Sequence, residues 1–503
     1  MQTLSTRRRW LALGVLCLSL LLVVVDNTIV NVALPTLNRD LGAGTTELQW
    51  IVDAYTLVFA ALLLTMGHLG DRFGRRRALQ VGLVLFAITS GMAALSTTSG
   101  QLIGARAVMG IGAALIFPAT LAILVNVFTD AKERAAAIGV WTAMVGVAVA
   151  VGPIAGGFLL EHFSWGAIFA VNIPVVIIAL ALGALLLPES RDPDVGAMDY
   201  LGLVLSAAGV ALIIWAIIEA PLRGWLSGGI AAALIGGVMF LVAFVVVERR
   251  LRHPMLDVRL FRNLRFTAAS LSVTTAFFAL FGFIFLITQF LQLVQGHTPL
   301  QAGLRTLPFA VATGIMSPLA IVLMHRFGSK LVVTVGLLVM AIGFVVAATI
   351  SVDSPYVGVV VLSMIMIAAG LGLATSPATE SIMGALPPEQ AGAGAAVNDT
   401  TREFGGTLGV AVVGSVFLSV YSAKVVDAYR SMGLPKRLES IVAESMGGGL
   451  QVAERLPQGQ GAQLAEVVRS AFIDGLSRGS LIAAAVVAVG AIVAWLFLPS
   501  RAT

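Results

Sequence analysis

Runs of about twenty apolar residues recur along the whole of this chain, and that repetition constrains its fold more than any other feature. Fourteen can be delimited, at 10–34, 48–69, 78–97, 101–125, 134–160, 165–187, 199–220, 228–248, 267–291, 301–325, 331–351, 357–385, 391–420 and 477–499. A helix rising 1.5 Å per residue needs about 20 such residues to cross the hydrocarbon of a bilayer. A transmembrane barrel would instead show shorter, alternating segments. The 503 residues are 58% hydrophobic and only 11% charged, against about 25% charged in soluble domains. So few charges cannot cover a water-facing surface, but they suffice for a lipid-facing one. The expected fold is an all-α polytopic membrane protein of 14 transmembrane helices. The first run is too long for a cleaved signal peptide, and it ends in a polar motif where a small-residue processing site would stand.

Charge sets the orientation. An even number of spans puts both termini on one side. That side collects Arg7, Arg8, Arg9, Arg72, Arg75, Arg76, Arg77, Lys132, Arg134, Arg191, Arg249, Arg250, Arg252, Arg259, Arg262, Arg265, Arg326, Lys330 and Arg501, while the short loops opposite hold Arg39, Arg223 and Arg305. The positive-inside rule then places both termini in the cytoplasm. The formal charge of +5 is accounted for by topology, with no nucleic-acid footprint. Lysine is rare beside arginine and Ala, Val and Gly abound, as GC-rich bacterial coding favours; the expected location is a bacterial plasma (inner) membrane. Cys17 is the one cysteine and the five histidines are scattered. Neither a disulfide framework nor a metal site is expected, and no cofactor. No GxxxxGK[ST] run is present, which disfavours an ATP-driven pump.

A weak internal repeat divides the chain. "DRFGRRR" at 71–77 follows the second span, and "HRFGSK" at 325–330 follows the tenth. If these turns correspond, each half has six equivalent spans and the pair at 199–248 is an insertion; parallel halves are a transporter plan. The expected organisation is a six-helix bundle over 1–190, two inserted helices over 199–248, a cytoplasmic linker over 249–266 and a second six-helix bundle over 267–503. The linker, "ERRLRHPMLDVRLFRNLRF" from 248, reads equally as a helix lying on the membrane surface or as plain basic anchoring. An outer loop over 421–476 carries "GGG" and "PQGQGAQ" between amphipathic stretches. It reads as a helical hairpin or as a partly disordered segment.

Four motifs carry chemistry. In "GHLGDRFGRRR", 67–77, Gly67 and Gly70 permit close helix approach, Asp71 can pair with an arginine, and Arg75, Arg76 and Arg77 anchor the turn, which also holds Arg72 and Gly74. "RAVMGIGAA", 106–114, puts Arg106 inside the fourth span, where a charge needs a partner. Its Gly-Ile-Gly is not a nucleotide fingerprint, because no strand precedes it. In "GVAVAVGPIAGG", 146–157, Gly152, Gly156 and Gly157 allow tight packing, and Pro153 removes a backbone hydrogen bond and bends the helix. "VDNTIVNVALP", 25–35, places Asp26 in an apolar span. Counting from Trp10 at the inner interface, Asp26 lies roughly 24 Å up the helix. Arg106 lies at a comparable depth, and Asp53 follows Trp50 by one turn. These three are expected to form one cluster in which a carboxylate gains and loses a proton. In the thirteenth span Asp399 and Glu403 stand one turn apart, with Arg402 beside them and Glu380 in the preceding span. Several acids with little compensating base fit a cavity for lipophilic cations.

These motifs, with "WGAIFAVNIP" at 165–174 and "PPEQAGAGAAVNDTTREFGGTLGVAVVGS" at 387–415, resemble the fourteen-span drug:proton antiporters of the major facilitator superfamily over nearly the whole chain except 421–476. The resemblance implies that the 67–77 loop latches the inner gate, that Arg106 serves proton coupling and that 146–157 is the antiporter motif of exporters. Glu403 departs from the neutral Gln usual there. The function expected is export of amphipathic, cationic compounds against protons by a monomer in the bilayer, with no enzymatic activity. Export of lipids or of a self-made antibiotic on the same scaffold stays open, as does the distinct class of ion channel or membrane sensor.

Overall fold

The computed structural model describes residues 5–191, 199–251, 254, 256–386 and 391–500. Eighteen α-helices run through them: α1 Thr6–Leu41, α2 Thr45–Phe73, α3 Arg75–Ala94, α4 Ser99–Val127, α5 Ala131–His162, α6 Ala167–Ala170, α7 Asn172–Leu186, α8 Tyr200–Arg223, α9 Gly228–Glu248, α10 Leu264–Gln289, α11 Pro299–Arg305, α12 Leu307–Phe327, α13 Ser329–Ala347, α14 Val361–Met383, α15 Ala391–Ser431, α16 Glu439–Glu444, α17 Met446–Arg455 and α18 Gln458–Phe497. With α6–α7 and α11–α12 each counted as one, fourteen spans are long and apolar enough to cross a membrane.

Single-glycine links reverse the chain at both repeat turns. Gly74 (φ 117°) separates α2 from α3, and Gly328 (φ 85°) separates α12 from α13. L-residues with a side chain rarely adopt these angles, so both turns call for glycine. The turns share one face of the helix array, termed here the basic face for Arg75, Arg76, Arg77 and Lys330. There Arg9 of α1 meets Glu133 of α5 at 2.5 Å, and the Lys330 N–H donates to the Pro499 carbonyl beyond α18.

Helices α1, α2, α3, α4, α5 and α7 pack on one another, as do α10, α12, α13, α14, α15 and α18. Helices α8 and α9 pack together, and α8 lies against both α2 and α15. Its seat is the buried cluster of Leu57, Ile214, Ile218 and Ala411, and Ser415 Oγ donates to the Ile217 carbonyl at 2.7 Å.

Two segments that the sequence left open take a definite form. α15 and α18 run well past the apolar stretches that flank 421–476, because an exposed amphipathic face lets a helix continue beyond the hydrocarbon. A 3₁₀ turn at Lys436–Leu438 and the short pair α16–α17 remain between them. The pair caps the face opposite the basic one: Tyr421 O–H donates to the carbonyls of Val442 and Ser445, and Asn38 Nδ2 donates to Ser445 Oγ at 2.8 Å and to the Ala43 carbonyl. In the linker, Val258–Arg262 form a single 3₁₀ turn capped by Asp257; Arg252, His253 and Met255 lie outside the described residues, as does the "PPEQ" that opens the 387–415 motif and the anchoring Arg501.

Candidate functional site

Asp26 and Arg106 meet in a chamber built by five helices, and neither is exposed at all. Arg106 Nη1 donates to Asp26 Oδ2. Its Nε donates to the Ile51 carbonyl of α2 at 3.0 Å, and its guanidinium lies over the Tyr55 ring at 4.2 Å. Nη2 is left without a partner. The other carboxylate oxygen, Oδ1, accepts from Asn172 Nδ2 of α7 at 2.9 Å, and the same nitrogen lies 3.3 Å from Ser90 Oγ of α3. A buried charge persists only when paired and hydrogen-bonded, and this arrangement supplies both. Asn172 sits in the "WGAIFAVNIP" motif, but nothing in the local sequence pairs it with a residue 146 positions away.

Asp53 stands apart from that pair. At about 100° per residue, Ile51 and Tyr55 lie on the far side of α2 from Asp53. Gln49 and Thr56 flank it instead and reach α15: Gln49 Nε2 donates to the Val410 and Ala411 carbonyls at 3.1 Å, and Thr407 Oγ1 donates to Thr56 Oγ1 at 3.0 Å. The carboxylate of Asp53 is buried with neither oxygen hydrogen-bonded. The expected three-residue cluster is therefore a pair plus a separate acid, because the helix phase of α2 turns Asp53 away.

The second cluster is looser. Asp399, Arg402 and Glu403 are half-buried on α15. Arg402 Nη2 donates to Thr379 Oγ1 at 3.3 Å and the guanidinium lies over Phe277 at 5.3 Å. Thr379 in turn donates to Asn398, which donates to Asp399 Oδ1 at 3.3 Å. Among the described residues no ion pair holds Arg402, and Glu403 Oε2 is buried without a partner. Glu380 is exposed near the end of α14. A cleft lies elsewhere, between the two sets of helices. It is lined by Thr28, Asn31, Val149 and Pro153 from the first set and by Phe283, Ile287, Thr288, Phe309 and Met364 from the second. None of the four cluster residues lines it.

At the basic face the 67–77 loop closes on itself and on the end of α7. Arg75 Nε meets Asp71 at 2.7 Å, and its N–H donates to the Ser190 carbonyl at 2.9 Å. Glu189 accepts from the Arg76 N–H at 3.1 Å, stands 3.7 Å from Arg77 and lies against Gly74, where any side chain would meet it. Arg76 also donates to the Leu187 carbonyl. Gly70 lies against Ala78 of α3 and Gly67 against Pro118 of α4. Arg72 stacks on Phe73, 5.7 Å from its centroid. Glu189 is the residue that sequence reading passed over; in the sequence nothing marks it out from Asp192 and Asp194, which follow it.

The 146–157 motif joins three helices. Gly152 and Gly156 bring α5 onto Thr28 and Ile29 of α1, whereas Gly157 faces the backbone of Pro299 and Leu300 in α11. Pro153 sits within an unbroken helix and packs on Gly303. The 146–157 segment therefore touches α1 and α11 at once.

The family model of the Major Facilitator Superfamily matches residues 16–410. The chain belongs to that superfamily. A multidrug efflux pump of Mycolicibacterium smegmatis is 39% identical over 492 residues, covering 98% of this chain and 96% of the relative. The methyl viologen resistance protein of Salmonella typhimurium is 36% identical, covering 93% of each. The tetracenomycin C resistance and export protein of Streptomyces glaucescens is 32% identical, covering 97% of this chain and 91% of the relative. Among solved structures, an inward-facing bacterial homologue of the lysosomal transporter Spinster shares the fold at a TM-score of 0.66 and 17% identity, covering 99% of both chains. A D-xylose–proton symporter does so at 0.62 and 17% identity, covering 98% of both. The chain is a membrane transporter in family and fold.

Proposed function

We propose that this transporter exports amphipathic, cationic compounds in exchange for protons, working as a monomer with both termini and the basic face in the cytoplasm of the bacterial inner membrane. The observation that carries the reading is the sealed Asp26–Arg106 pair. A carboxylate and its counter-charge held out of water respond strongly to any shift in their separation, which a proton-coupled cycle requires. The arginine bias supports the orientation. The relatives named for methyl viologen resistance and multidrug efflux support the substrate class. The relative named for tetracenomycin C export favours, as a second reading, an antibiotic made by the cell itself.

In this reading residues 1–190 and 267–503 are two six-helix halves that rock about the cleft, 199–248 is an inserted pair and 249–266 the linker. The cleft and the acids Asp399, Glu403 and Glu380, with Arg402, belong to one substrate path, aromatic and apolar at the cleft and acidic toward the cytoplasm. Asp26 with Arg106 serves the proton, and Asp53 is a further protonatable acid. Gly67, Gly70, Asp71, Arg72, Gly74, Arg75 and Arg76 form the inner gate. Gly152, Pro153, Gly156 and Gly157 let α5 move against α1 and α11.

The test is methyl viologen transport by proteoliposomes under an imposed pH gradient. Wild-type protein should move the dication and protons in opposite directions, and Asp26→Asn should lose that coupling while still folding. Coupled transport by Asp26→Asn would refute the assignment.

A further inference from the structure

Each oxygen of Asp26 has one side-chain partner, and the two partners differ in kind. Oδ2 accepts from Arg106, and Oδ1 accepts from Asn172 Nδ2 at 2.9 Å. A guanidinium has only donors, so it satisfies a carboxylate and offers nothing to the O–H of the protonated acid. A carboxamide carries donors on one side and an acceptor oxygen on the other. Its terminal torsion is broad and roughly two-fold. In a chamber where Asp26, Arg106 and Ser90 have no exposure and Asn172 has 3%, bulk water does not replace a missing partner, and an unpaired polar group is costly.

We propose that Asn172 is a positioning residue for Asp26. Its NH₂ group holds the carboxylate, and after the amide turns over, its carbonyl oxygen accepts from the protonated carboxyl. Asp26 thereby exchanges a proton with both of its oxygens still partnered. The proton stays on Asp26, and Asn172 neither gains nor loses one. Ser90, whose hydroxyl is both donor and acceptor, sits 3.3 Å from the amide and follows either orientation. The ionisable groups facing Asp26 are Arg106 from α4 and Tyr55 from α2; the charge of Glu403 on α15 reaches Tyr55 in turn, and α11 and α17, which also pack on α1, are charged only at their C-terminal ends. Asp53 is on the far side of α2, α3, α5 and α10 carry charged residues only at their ends, and α7 carries none. The inference rests on the reading of Asp26 as the proton carrier.

The test is the pH profile of methyl viologen–proton exchange in proteoliposomes. Asn172→Leu keeps the branched shape with added bulk and removes both capacities, Asn172→Ala removes them without bulk, and Asn172→Gln keeps an amide. The Leu and Ala variants should move the midpoint of the profile upward by about one pH unit, a tenfold change in proton affinity, because the bond lost from the ionised form is the stronger one. Asn172→Gln should return toward wild type. Slower transport by both Leu and Ala with an unmoved midpoint would overturn the proposal and leave Asn172 a packing residue. If Asn172→Leu fails to reach the membrane, Asn172→Ala decides alone. Asp26→Asn, run beside them, separates the two levels. Its loss of coupling together with unmoved Asn172 variants refutes the role of Asn172 only, whereas its retention of coupling refutes the proton reading on which that role depends.

Discussion

Gly157→Ala is expected to shift this transporter toward conformations in which its two sets of helices part at the face opposite the basic one. A Cβ added at Gly157 would lie 2.5 Å from Leu300 Cα and 2.6 Å from the Pro299 carbonyl oxygen. These are backbone atoms of α11 and cannot rotate away. Ordinary contact begins at 3.4 Å, so α11 has to retreat by about 0.9 Å or the contact has to break. Inserting a methyl into a close-packed contact costs about 1–3 kcal/mol. Only conformations in which α5 touches α11 bear that cost, so the equilibrium shifts about 5- to 150-fold away from them. The assay is the rate at which a membrane-impermeant maleimide labels Ser445→Cys, in a background where Cys17, the one native cysteine, is replaced by serine. Ser445 is 5% exposed beneath Asn38 when the cap is seated. Gly157→Ala should speed labelling at least fivefold. Gly139→Ala on the same helix is the control, because nothing lies within 4 Å of its new Cβ. Equal labelling rates in the two variants would refute the reasoning.

Arg106→Met leaves Asp26 buried without its counter-charge and is expected to cost about 3–5 kcal/mol; thermal unfolding in detergent should show the loss, and adding Asp26→Asn should recover much of it. Glu189→Gln frees the turn at Gly74 from Arg76 and Arg77, so transport turnover should fall by more than equilibrium binding of methyl viologen; equal losses would make the turn a folding element only. Glu403→Gln should weaken efflux of dications more than of neutral amphiphiles, since an effective dielectric near 20 still leaves roughly 4 kcal/mol between charges about 4 Å apart; equal loss for both classes would remove Glu403 from the substrate path. Burial, and then the charge of Glu47, push the Glu444 carboxyl of the cap above its ordinary value. The seated cap thus binds the proton more tightly than the free cap, and its seating is favoured at acid pH and weakens as pH rises above the ordinary carboxylate range. Labelling at Ser445→Cys, divided by the labelling rate of a free thiol at the same pH, should accelerate over that rise, and Glu444→Gln should flatten this corrected dependence.

The spans were legible because lipid demands about twenty apolar residues each time, and that demand is written locally. The single-residue turns were legible at Gly74 and Gly328 for the same reason. Helix ends in water were not: α15 continues to Ser431 and α18 begins at Gln458, where amphipathic sequence serves a solvated helix as well as a loop. Depth alone grouped Asp53 with Asp26, and azimuth separated them, since the phase of α2 against α4 and α15 is a tertiary fact. Asn172 and Glu189 were invisible for a related reason. Each acquires its meaning from a partner more than 110 residues away, and no local pattern encodes that.

The seat of α8 has a mechanical consequence. Leu57 of α2 and Ala411 of α15 meet under Ile214 and Ile218, one residue along α2 and one turn along α15 from the Thr56–Thr407 hydrogen bond. Three helices from three parts of the chain are thus fastened near one level, and that level acts as a fulcrum. From Thr56 to Phe73, α2 extends roughly 25 Å further toward the basic face. A tilt of about 10°, of the order of known rigid-body rotations, then sweeps the far end of that lever by about 4 Å while displacing the fulcrum hardly at all. Helix α8, with α9 packed on it, can therefore stay seated against α2 and α15 throughout such a tilt, bearing on the axle of the motion instead of resisting it.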